Sequence, residues 1–180
     1  MNIDSVYYLL FLLMFMVAFI TYGILGTATQ QRRLMVGLCV ALLIGGVGYW
    51  VAPAAGPFIY RSLAGAGLAQ TQGTLLEMYH HVYSTRTFPS GYFGAALGAM
   101  PSMHFGFAIF FLLFTFRTKR WLSWLCVVIL TWFLVDSVYL GWHYLIDIAG
   151  GAVVAVAAYY LTQRLLPERL KQDTPRFIDA

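Results

Sequence analysis

Charge is scarce in this chain. Lys, Arg, Asp and Glu together make up 10% of 180 positions, and the only lysines are Lys119 and Lys171. A soluble domain carries about a quarter charged residues, so an ordinary soluble fold is excluded, and no nucleic-acid partner is expected. Cysteine is nearly absent as well. Cys39 and Cys126 both fall inside apolar runs, which leaves neither a disulfide framework nor a zinc spacing and makes both expected core-packing residues. The His-Glu-x-x-His pattern of zinc hydrolases does not occur. No internal repeat or charged low-complexity tail divides the sequence, so residues 1–180 read as one membrane domain.

What the chain has instead is apolar length. Hydrophobic residues reach 61% and aromatics 17%, with a mean hydropathy of +0.74. A spanning helix needs about 20 mainly apolar residues. Five runs approach that: 6–25, 34–51, 102–116, 121–139 and 144–165, the third of them short. The expected fold is therefore all-α, a polytopic integral membrane bundle of about five transmembrane helices. The first run lacks preceding basic residues and exceeds a signal-peptide core, so it reads as retained. The abundant Phe, Trp and Tyr read as lipid-facing packing and interfacial belts.

Basic residues set the expected orientation. Arg32 and Arg33 join the first two spans, Arg117, Lys119 and Arg120 the third and fourth, and Arg164, Arg169, Lys171 and Arg176 follow the fifth. The positive-inside rule assigns these segments, including the tail 166–180, to the cytoplasm. Five spans put the amino terminus outside, and either the chain has that topology or a further amino-terminal span precedes it. Residues 1–52 supply two spans, 101–165 three, and 53–100 a non-cytoplasmic stretch. In that stretch Pro53, Pro57, Gly65, Gly67 and Gly73 punctuate the chain, and Leu75, Leu76, Met78, Tyr79, Val82 and Tyr83 predict a short amphipathic helix. The whole reads as a lid. Low lysine and compactness favour a bacterial inner membrane.

Two motifs stand where apolar runs meet this polar side: Pro101-Ser102-Met103-His104 and His143-Tyr144-Leu145-Ile146-Asp147. A histidine four residues before an aspartate on a helix shares a face with it, so Asp147 can hold the His143 imidazole in one tautomer. His104 can then protonate a leaving group as His143 attacks. Ionisable residues inside a membrane are expensive enough that function is the default reading. Arg61 and Arg86 lie on the side that the positive-inside rule disfavours, and their guanidinium forks suit a phosphate, with snorkelling to headgroups as the alternative. His80 and His81 read as solvated loop residues, Asp136 as a water-contacting helix end or a supporting hydrogen-bonding group, and Gly150-Gly151 as a close-packing pair. Pro89-Ser90-Gly91-Tyr92 copies the first motif with tyrosine in place of histidine, and reads as a decoy.

At these residues the chain resembles the type 2 phosphatidic acid phosphatase superfamily, and within it the inositolphosphotransferase and sphingolipid-synthase branch. Pro101, Ser102, Met103 and His104 match the family's Pro-Ser-x-His motif, with Ser102 among the expected phosphate ligands. His143 and Asp147 match the end of its third motif, and His-Tyr-x-x-Asp followed by Gly150 and Gly151 is similar to the phosphotransferase branch, Tyr144 being a possible supporting residue. The likeness covers 53–151. The third-motif arginine would fall at Ser137, with Asp136 where its serine belongs, and the first motif, a lysine followed by Arg-Pro, is absent. Arg61 and Arg86 are the substitutes by location, with Ser137 and Asp136 as possible support.

The resemblance implies a phosphohistidine on His143, steadied by Asp147, with His104 as acid and then base. It implies a membrane-lipid substrate, no cofactor and no metal, and water or an alcohol such as inositol or a lipid headgroup as acceptor. Two other classes stay open: a metal-dependent membrane hydrolase using His104, His143 and Asp147 as ligands, and a non-enzymatic headgroup-binding or transport protein with a degenerate site.

Overall fold

Each apolar run folds as a helix. The computed structural model describes residues 3–60, 66–87 and 97–167. Its helices are α1 (Ile3–Leu25), α2 (Ala28–Val51), α3 (Ala66–Thr85), α4 (Met103–Thr118), α5 (Arg120–Tyr139) and α6 (Leu145–Leu165), with a 3-10 turn at Pro57–Ile59. No strand occurs among the described residues, only a single bridge between Ala54 and Gly98. Three helices are long and apolar enough to cross a membrane: α2, α5 and α6. The described apolar part of α1, Leu9–Leu25, and α4 are shorter.

Local chemistry corrects several sequence expectations. α2 starts at Ala28 because Thr27 and Gln30 form a reciprocal capping box, so Arg32 and Arg33 lie inside the helix and not in a loop. The helix expected around Leu75 to Tyr83 extends back to Ala66, so Gly67 and Gly73 are helical and not punctuation. A glycine inside a helix costs only about 1 kcal/mol relative to alanine. An anchor offsets it: the buried Gln72 donates Nε2–H to the Leu140 carbonyl at 2.8 Å. His80 and His81 are exposed as expected, but on this helix.

α4 is the core of the bundle and packs most extensively on α5 and α6, with α2 closing against α6. Phe105, Phe107, Phe110, Phe111 and Phe114 are all buried along it, joined by Phe133 of α5. The phenylalanines therefore pack mainly inward, contrary to the lipid-facing reading. Exposed rings are largely Trp and Tyr, such as Trp50, Trp124 and Tyr139. Small residues make the close helix approach possible. A Cβ on Gly37 or Gly45 of α2 would collide with Phe110 or Met103, and one on Gly48 would stand 2.6 Å from Pro101 Cδ. Cys126 is buried, but Cys39 faces outward and is no core residue. The outer surface is strongly apolar, with Ile24, Leu43, Val128 and Val153 exposed, as a lipid-embedded bundle requires.

Candidate active site

The end of α5 builds one half of the site. Gly141 adopts φ 71°, the left-handed conformation open to glycine, and the chain closes a Schellman turn. Gly141 N–H donates to the Val138 carbonyl and Trp142 N–H to the Ser137 carbonyl at 2.9 Å. His143 N–H reaches the same carbonyl at 3.3 Å. The turn delivers His143 to the start of α6. A strut holds it there: Phe58 N–H donates to the Gly141 carbonyl at 2.9 Å, the Phe58 and Trp142 rings lie 5.7 Å apart, and a Cβ on Gly56 would strike the Trp142 carbonyl. The Ala54 backbone bonds in turn to Leu97 and Ala99, just before the Pro-Ser-x-His motif. The described parts of 53–100 thus brace both motifs.

The other half is the start of α4. Pro101 is wedged between Gly48 and Gly150, and a Cβ on Gly151 would collide with the Ser102 carbonyl. Ser102 N–H donates to the Asp147 carbonyl at 2.9 Å. Ser102 is the N-cap residue of α4 and fully buried, yet its hydroxyl does not cap the helix. It lies 3.1 Å from His143 Nε2 instead. A capping serine contributes about 1 kcal/mol, so that contribution is forgone for contact with the imidazole.

His143 precedes α6 and does not belong to it, so the shared-helix-face expectation for His143 and Asp147 is corrected. Asp147 reaches back from the first turn. Its Oδ2 accepts the Tyr144 backbone N–H at 2.8 Å and stands 3.6 Å from His143 Nδ1. The first is a hydrogen bond; the second is an ion-pair distance, too long for one. The nearby Asp147 carboxylate favours the imidazole proton on Nδ1, which leaves the Nε2 lone pair facing the Ser102 hydroxyl. Asp147 is almost completely buried, and its negative charge complements the N-terminal dipole of α6.

His104 is half-buried at the start of α4, its ring edge-on to Phe11 with centroids 4.5 Å apart. Phe11 of α1 carries no motif, and no sequence signal marks it as a wall of the site. Asp136 is buried at 5% exposure and does not contact water as expected for a helix end. Ser137 is fully buried, and its carbonyl anchors the turn that carries His143.

Arg86 sits just past α3 with φ 57°, its guanidinium 5.2 Å from the centre of the Tyr83 ring. It lines a cavity of about 480 Å³ with Tyr60, Tyr79, Tyr83 and Tyr144, so the cavity adjoins the His143 loop through Tyr144. Arg61 and the second Pro-Ser segment at 89–92 lie outside the described residues. No group of three His, Cys, Asp or Glu gathers as a metal site among the described residues, so the metal-hydrolase reading gains no donor set.

The sequence profile of the PAP2 superfamily matches residues 2–161. No curated protein and no solved structure matches the chain. The matched region contains all six helices but the last residues of α6, together with both histidine motifs. A lipid-embedded helical bundle with these motifs buried at one end thus belongs to the PAP2 superfamily, a family of phosphatase-type membrane proteins.

Proposed function

We propose that this protein is a metal-independent phosphatase or phosphotransferase acting on a membrane-lipid phosphate ester, in the manner of the inositolphosphotransferase branch. The observation that carries this reading is the buried contact of Ser102 and Asp147 with opposite nitrogens of His143, at the meeting of the α4 and α6 N-termini.

His143 Nε2 attacks phosphorus in line, forming the P–N bond as the P–O bond to the leaving alcohol breaks. The alcohol oxygen takes the bonding pair and receives a proton from His104. The Ser102 hydroxyl turns from Nε2 to a phosphoryl oxygen, and the Nδ1–H of the new imidazolium closes on Asp147. Water or an acceptor alcohol then gives its proton to His104, attacks phosphorus and releases His143. The dipole of α4 points its positive end at this site and supplements the guanidinium of Arg86, where the family's arginine is replaced by Ser137. The tyrosine-rich cavity beside Tyr144 has the volume of a headgroup seat and is our choice for the donor or acceptor headgroup. By the positive-inside reading the site faces the non-cytoplasmic side of a bacterial inner membrane.

The test is phosphate release and headgroup exchange by purified protein on a phospholipid panel in EDTA, wild type against His143→Ala. Turnover in EDTA that is lost in the variant, with an acid-labile phosphoenzyme in the wild type, is expected. The ratio of phosphate released to headgroup transferred separates hydrolysis from transfer. Background activity in both proteins would transfer the assignment to a headgroup-binding protein with a degenerate site.

A further inference from the structure

A second cavity lies at the other end of the bundle. It measures about 1050 Å³ and sits where the α1–α2 junction meets the C-terminal ends of α4 and α6. Since α4 has 16 residues at about 1.5 Å each, this cavity is roughly 24 Å from the histidine site. Arg32, Arg33 and Arg117 all line it, and among the described residues no carboxylate does. Thr27, Gln30 and Gln163 add neutral polar groups, and Phe114 with Leu165 an apolar wall.

The positive-inside rule accounts for basic residues at this end but not for burying one of them. Arg33 is only 6% exposed. Its Nε and Nη2 donate to the Leu166 carbonyl at 2.8 and 2.6 Å, which fixes the guanidinium at the C-terminal end of α6. Held there, the guanidinium places a fixed positive charge at the cavity without further loss of rotamer freedom. Arg32 and Arg117 are exposed and reach the same cavity from α2 and α4.

We propose that this cavity binds a phosphate-bearing anion at a second site, remote from the histidines and independent of their chemistry. The ligand is either the headgroup of an anionic membrane lipid, its chain lying along Phe114 and Leu165, or a water-soluble phosphate. Basic pockets between spanning helices are suited to such groups.

The test titrates the purified full chain in a neutral detergent with dioctanoyl phosphatidylglycerol and, separately, with glycerol 3-phosphate, by calorimetry. The double variant Arg32→Gln/Arg117→Gln leaves the buried Arg33 in place, and Arg32→Lys/Arg117→Lys keeps the charge. The expected result is an affinity at least tenfold weaker in the glutamine variant, within about threefold of wild type in the lysine variant, and reduced by high salt. Loss of lipid binding alone assigns the site to a membrane lipid; loss with both ligands assigns it to the phosphate group from either source. If the glutamine double variant does not fold, Arg117→Gln alone carries the test, with a weakening of about threefold expected. Undetectable binding to the wild type, or affinities unchanged in the variants, would overturn the proposal.

Discussion

Asp147 serves two partners through one oxygen, the Tyr144 backbone and the His143 ring. Asp147→Asn keeps an acceptor for the cap but loses the charge that stabilises an imidazolium. Thermal stability is expected to change by less than about 1 kcal/mol, while kcat falls by about two to four orders of magnitude. Unchanged kcat would remove Asp147 from the chemistry. Arg86 is exposed and has no role in the core. Arg86→Gln is expected to raise KM for an anionic lipid about tenfold with kcat within about threefold, the pattern of a lost charge-assisted contact in ground and transition state alike. An unchanged KM would show that Arg86 does not contact the substrate phosphate. Ser102, His104, His143 and Asp147 were all legible as residues, because each belongs to a short motif at the end of an apolar run. Their contacts were not. Nothing in the spacing says that the Ser102 hydroxyl abandons its helix cap for a ring 41 positions away.

At the scale of elements, the site depends on how closely α4 and α6 approach. Gly151 presses on the Ser102 backbone, so Gly151→Ala must force the two helix starts apart and disturb the Ser102 to His143 contact. A loss of about 1–3 kcal/mol, the usual range for overpacking, is expected in denaturation, together with reduced turnover. Gly73 of α3 has open space around its Cβ position. Gly73→Ala is expected to be neutral or to stabilise by up to about 1 kcal/mol. Equal melting temperatures for wild type and Gly151→Ala would refute the close-approach account. The Thr27 and Gln30 capping box and the left-handed Gly141 set the ends of α2 and α5 through local contacts. The reach of α3 was hidden, because its anchor is the carbonyl of Leu140 on another element.

For the whole molecule, the histidine end and the arginine end are separated by the length of the bundle, and the proposed orientation rests on the positive-inside rule. Thr29, at the start of α2, and Thr85, at the end of α3, are exposed. Single cysteines at these positions, in a Cys39→Ser/Cys126→Ala background, are expected to react with a membrane-impermeant maleimide from opposite sides, Thr85→Cys from outside intact cells. Labelling of both from one side, or reversed labelling, would overturn the orientation.

From the sequence alone came the solvent, the all-helical class, the positions of the apolar runs and the two histidine motifs, because these depend on composition and short-range spacing. Tertiary packing decided which faces turn inward. Helices that are apolar all round carry little period from which to read a buried face, so the inward phenylalanines of α4, the outward Cys39 and the burial of Asp136 emerge only when α2, α4, α5 and α6 are packed. The same holds for the Ser102, His143 and Asp147 contacts and for both cavities. Each joins segments far apart in the chain, and such contacts are set by backbone approach at glycines such as Gly48 and Gly151, not by any local pattern.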